Sequence, residues 1–176
     1  MLKQPSIRRH QAGLTIIETL IAILVGLIVL GGAIYLGVRL FGSTKITSAQ
    51  QDIMSVVGSI KQIYNGNPNF TGLDNNVAIN SQLIPSDWNI VGNNISNQWS
   101  GAVVIATAAT VTQFTIELDA VPQDACVQLG SFAPGSWVNV TVNGTQTQGV
   151  GFAGSTPTAT AGACVAGNNN IIYTVQ

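Results

Sequence analysis

Few residues of this chain can do chemistry, and most are in the wrong company for it. The single histidine, His10, stands beside Arg8 and Arg9 near the N-terminus, so nothing beyond it offers an imidazole for proton transfer or metal binding. Glu117 and Asp119 share a strand face by their i, i+2 spacing, a pattern that fits a carboxylate pair or a solvated strand edge. Gly149-Val150-Gly151-Phe152-Ala153-Gly154 spells a dinucleotide fingerprint, yet Ser155-Thr156-Pro157 stands where a helix should open and no βαβ unit surrounds it. It reads as a loop. Cys126 and Cys164 are the only cysteines, too few for a four-ligand metal centre. No catalytic residue, metal or cofactor is expected.

Glu18 is different. It lies at the mouth of an apolar run in which Thr19–Val38 carries no formal charge, and a charge at the centre of a bilayer costs roughly 2.5–3.5 kcal/mol. Two readings stay open. Glu18 sits at the membrane edge among headgroups, or it is neutralised by a cation. Arg39 is about 30 Å further along a helix and cannot reach it. Were the chain cut after Gly13, Leu14 would carry a free protonated amine one turn before Glu18. A neighbouring chain staggered by a turn would then bring amine and carboxylate together while both bury their apolar surfaces.

The elements that position these residues follow from composition and period. Charged residues are only 7% of the 176-residue chain, so uncharged polar side chains must cover its surface, and no basic cluster offers a nucleic-acid site. From Leu14 onward three basic side chains (Arg39, Lys45, Lys61) face seven acidic ones, a net of −4. The apolar run is long enough to cross ~30 Å of hydrocarbon. It is too long for a secretory signal core and no small-x-small cleavage site follows it, so the basic start stays cytoplasmic and the remainder is exported. In an oxidising compartment two cysteines read as one disulfide, closing a loop worth roughly 4 kcal/mol on the chain-entropy model. Ile46, Ala49, Ile53, Val56, Val57, Ile60, Ile63 and Tyr64 continue a helical stripe, so one helix is expected over 14–64, ended by Asn65-Gly66-Asn67-Pro68. Its half at 14–38 is the membrane anchor, where Ala22/Gly26 and Ala33/Gly37 are either small faces for close helix approach or simply the glycines common in membrane helices.

Beyond residue 68 short apolar runs alternate with turn signals. A turn or short helix is expected near Asn80–Leu83, and a buried strand over Ala102–Ala106. Half-buried strands follow around Phe114, Ile116 and Leu118, and around Val138, Val140 and Val142. Asn143-Gly144 makes a two-residue hairpin turn, and Ile171–Val175 is a last strand. An antiparallel sheet covered by the amphipathic half-helix is the α+β architecture expected.

Gly13-Leu14-Thr15-Ile16-Ile17-Glu18 before an apolar helix resembles the prepilin-peptidase signature of type IV pilins. Ile63-Tyr64-Asn65-Gly66, Phe70-Thr71-Gly72-Leu73-Asp74, Ile84-Pro85 and Asp124-Ala125-Cys126-Val127 resemble the type IVb major pilins of bundle-forming and conjugative thin pili. The resemblance implies a leader over 1–13 cut between Gly13 and Leu14, N-methylation of Leu14, and Glu18 as the assembly carboxylate. It further implies a Cys126–Cys164 disulfide, and a pilin fold with an exported head over 65–176. Partners implied are further copies of the chain, a prepilin peptidase, an assembly ATPase, an inner-membrane platform and a secretin. The location implied is the inner membrane and then an extracellular pilus of a Gram-negative bacterium. Gly31-Gly32 is expected to be a weak point where the helix stretches on packing. Runner-up readings are a type II secretion pseudopilin, which the cysteine pair disfavours, a minor pilin, and a monomeric membrane-tethered binding module.

Overall fold

The structure is a computed structural model that describes residues 16–132, 137–154 and 156–176, with the side chains of 33–43 excepted. The chain divides into two units, Met1–Gly42 and Ser43–Gln176. Helix α1 (Ile16–Ile63) begins in the first unit and ends in the second. The leader 1–13 and Leu14 lie outside the described residues.

Over Ile16–Gly32 of the first unit α1 is apolar on every side apart from Glu18 and Thr19. Its eleven large aliphatic side chains between Ile16 and Leu30 are 51–82% exposed, an uncovered apolar surface that water alone does not tolerate. Backbone hydrogen bonding is unbroken through Gly31-Gly32, and a Cβ at Gly26, Gly31 or Gly32 would meet nothing within 4 Å. Among the described residues no helix is long and apolar enough to cross a membrane. Those described side chains stop at Gly32, short of Val38, so the anchor over 14–38 rests on the sequence.

The second unit is built on a seven-stranded antiparallel sheet in the order β1-β2-β3-β4-β7-β5-β6. Its strands are β1 (Asn89–Val91), β2 (Asn94–Ser96), β3 (Ala102–Thr107), β4 (Phe114–Val121), β5 (Trp137–Val142), β6 (Thr145–Gly149) and β7 (Asn169–Val175). Short helices α2 (Asn75–Asn80), α3 (Gln123–Gly130) and α4 (Thr156–Ala163) fill the crossings. Alternation works as expected in β4 and β7. Phe114, Ile116 and Leu118 pair in register with Val175, Tyr173 and Ile171, all buried. These residues form one core with Ile46, Ala49, Ile53, Val56, Val57 and Ile60, the α1 stripe. Ile63, assigned to that stripe by spacing, is instead 44% exposed, because the helix is already ending there. Gly66 at φ 88° turns the chain out of α1.

Several expectations need correction. The turn or short helix expected near Asn80–Leu83 is present as the end of α2 at Asn80 and the turn after it, but α2 begins earlier, at Asn75, where Asp74 Oδ1 caps it by accepting from Val77 N at 2.8 Å. Strand β3 is not buried throughout but alternates, with Val103 and Ile105 inside and Val104 out. In β5 a register shift between Trp137 and Asn139 reverses the first residues. Trp137 therefore packs on the core against Tyr173, with ring centroids 5.0 Å apart. Val138 turns to the opposite face, beside Thr115, Asn139 and Thr174. Asn143 (φ 50°) and Gly144 (φ 79°) make the expected hairpin turn, but its second strand, β6, lacks any large apolar residue and was invisible to periodicity.

Candidate assembly site

Glu18 stands in the first turn of α1, where a carboxylate meets the positive end of the helix dipole. Around it Ile17, Leu20 and Ile21 are 57–64% exposed, so the acid sits in an apolar surface that only another hydrophobic surface can cover. Gly13 and Leu14, the residues tied to cleavage and methylation, lie outside the described residues.

The cysteines meet as the sequence implied. Cys126 of α3 and Cys164, just past α4, form a disulfide with Cα atoms 6.0 Å apart. Around this bond α3 ends in a knot of side-chain donors. Tyr173 OH donates to Leu129 O at 3.0 Å, Gln148 Nε2 to Gly130 O and Phe132 O at 3.3 and 3.0 Å, and Trp137 Nε1 to Phe132 O at 3.1 Å. These satisfy the carbonyls that a helix C-terminus leaves unpaired. Burial raises the Tyr173 pKa, so the hydroxyl stays a donor. A second hub is Asn169. Its amide donates to Val121 O, Val165 O and Gly167 O at 3.0–3.2 Å, and its Oδ1 accepts from Val165 N and Asn143 Nδ2.

Glu117 and Asp119 do share a face, but not at an edge: β4 lies between β3 and β7. Asn170 Nδ2 of β7 donates to both, at 2.5 Å to Glu117 Oε1 and 2.7 Å to Asp119 Oδ1, so the pair holds neighbouring strands together. A helix, α4, does follow the Gly149–Gly154 run, contrary to the sequence reading. It leads into β7, which pairs only antiparallel with β4 and β5, so there is no βαβ unit among the described residues and the run past Gly149 is a loop. On the same outer face an open cleft of about 420 Å³ is lined by Thr115, Gln113, Asn139, Gln146, Thr174 and Val150, among others, with no ionisable group.

One feature escaped periodicity. Asp52, on the flank of the α1 stripe, is only half exposed, and its Oδ2 is buried without a hydrogen-bond partner. Burial first, and the charge of Asp87 second, push its pKa up to about 6. Its position one residue before Ile53, buried in the stripe, was the available signal.

A long N-terminal helix, apolar at its start and packed on an antiparallel sheet at its end, with one disulfide near the C-terminus, is the architecture of a type IV pilin. The chain belongs to the family described as "PilS N terminal", whose model matches residues 43–176. Residues 8–34 match the prokaryotic N-terminal methylation motif. The major structural subunits of the bundle-forming pilus of Escherichia coli O127:H6 (strain E2348/69 / EPEC) and of Escherichia coli O111:H- are each 26% identical over 141 residues. Each comparison covers 76% of this chain and 73% of the relative. In fold the chain is similar to the crystal structure of TcpA, a type IV pilin from Vibrio cholerae El Tor biotype. That match has a TM-score of 0.50 at 13% identity, over 76% of this chain and 99% of TcpA.

Proposed function

We propose that this type IVb pilin is a major subunit that polymerises through α1 into an extracellular filament serving adhesion, aggregation or conjugation. The carrying observation is the surface of α1 from Ile16 to Leu30, uncovered and apolar but for Thr19 and one acid, Glu18. A prepilin peptidase cuts between Gly13 and Leu14 and methylates Leu14, while residues 14–38 hold the subunit in the inner membrane of a Gram-negative cell. An ATPase, a membrane platform and a secretin then extrude the growing fibre. Glu18 is neutralised by the Leu14 amine of the adjoining subunit, and Gly31-Gly32 lets the packed helix stretch. The chain itself catalyses nothing. The type II secretion reading is not favoured, since the relatives named above are pilus subunits.

Shearing intact cells tests this. Abundant protein beginning at N-methylated Leu14 is expected in the sheared fraction, and Glu18→Ala is expected to be inserted and cleaved yet leave that fraction empty. An intact leader in the filament, or normal piliation by Glu18→Ala, overturns the reading.

A further inference from the structure

The charges of the mature chain are segregated. All three basic residues, Arg39, Lys45 and Lys61, lie on α1, and residues 65–176 hold five carboxylates and no Lys, Arg or His. Lys45 is committed within the chain, its Nζ donating to Gln98 O at 3.5 Å while Gln98 Nε2 donates back to Lys45 O at 2.5 Å. Lys61, in the last turn of α1, is held by no described residue. Asp52 is the complementary case, a carboxylate with one buried, unpartnered oxygen and a second acid, Asp87, nearby.

Nine residues separate Asp52 from Lys61, which at 3.6 residues per turn puts them about 180° apart around α1. The buried stripe of Ile46, Ala49, Ile53, Val56, Val57 and Ile60 runs between them. They occupy opposite shoulders of one helix and cannot meet within a chain. A contact joining one shoulder of a subunit to the other shoulder of the next is heterologous, the kind that propagates as an open helical polymer.

We propose that in the filament Lys61 of one subunit pairs with Asp52 of the next, a second charge contact along α1. This rests on the pilus reading above. Two parallel helices bring these residues level when the second is displaced by about 13 Å toward the C-terminal end of the first, less the reach of the lysine side chain. The contact between Glu18 and the Leu14 amine requires displacement in the same direction, by about 6 Å. Both contacts therefore call for a neighbour displaced in the same direction along the helix axis. Asp87 adds a second negative charge to the acceptor side and favours an ammonium there.

Carbodiimide treatment of sheared wild-type filaments, which joins only touching carboxylates and amines, tests the pairing. Expected are a ladder of covalent multimers and a peptide linking Asp52 to Lys61, both absent from detergent-solubilised subunits. Filaments in which Lys61 is joined to another carboxylate, or to none, overturn the pairing and leave the pilus reading standing. Wild-type cells that yield no filaments sink both. Asp52→Lys and Lys61→Asp alone should each reduce the sheared fraction about tenfold with cleavage unchanged, and together restore it. Loss without rescue in the double variant also overturns the pairing.

Discussion

At the scale of single residues, this chain does with amides what most proteins do with charges. Asn75 bonds Val103 O and Ile105 N of β3, with which it fills part of the flank of a strand that β2 covers only at Ala102 and Val103. Asn97 similarly binds Trp99 N, Gly101 N and Asp119 O, and Asn169 ties three segments together. An amide both donates and accepts without the desolvation cost of an ion, which suits a head with so few charges. Asp52 is the exception. Its folded pKa of about 6 exceeds the ordinary 3.8, so the fold favours the protonated form. Its contribution to stability is complete below pH 4 and is lost as pH rises through 6. Asp52→Asn should therefore stabilise the unassembled subunit at pH 7.5 by roughly 1 kcal/mol, after allowing for solvent screening, and by nothing at pH 3.5. Urea unfolding at the two pH values checks this. The same substitution should weaken the filament if Lys61 of the neighbour is its partner there.

At the scale of elements, α3 is held by its C-terminus. Gly130 ends it in close quarters: a Cβ there would lie 2.7 Å from Thr160 Cγ2 and 2.9 Å from Val142 Cγ2. Gly130→Ala must push α4 away from β5, at an expected cost of about 1–3 kcal/mol. The loss should appear as a lower urea midpoint with unchanged slope. Elements were unevenly legible in the sequence. Helix α1 and strands β4, β5 and β7 announce themselves by period, as does the Asn143-Gly144 turn. Strand β6 (Thr145–Gly149) does not, because its buried residues are Thr147 and Gln148, whose places are set by Val140 O and the carbonyls of α3. Helix α4, with Thr, Pro, Ala and Gly, is likewise silent, its one buried side chain being Thr160.

At the scale of the whole molecule, the last strand of the chain lies in the middle of the sheet, β7 between β4 and β5. Its neighbour β5 and hairpin partner β6 fall inside the loop that Cys126–Cys164 closes across 38 positions. The crosslink thus shortens the search for the distant pairings of β7 with β4. Removing it by Cys126→Ser with Cys164→Ser should destabilise the head by about 2–5 kcal/mol. Reduced filament yield despite normal leader cleavage, with a lower unfolding midpoint of the detergent-solubilised subunit, is the expected outcome.

The sequence by itself determined the long helix, its division into an apolar and an amphipathic half, the acid at its head and the pairing of the only two cysteines. These are local patterns of period and charge, written in consecutive residues. Tertiary structure alone decided that Trp137 rather than Val138 faces the core, that Glu117 and Asp119 both bind Asn170 of the next strand, and that Asp52 is half-buried beside Asp87. Each of those depends on which distant segment lies opposite, and a one-residue shift in β5 or the path of a loop is enough to change it.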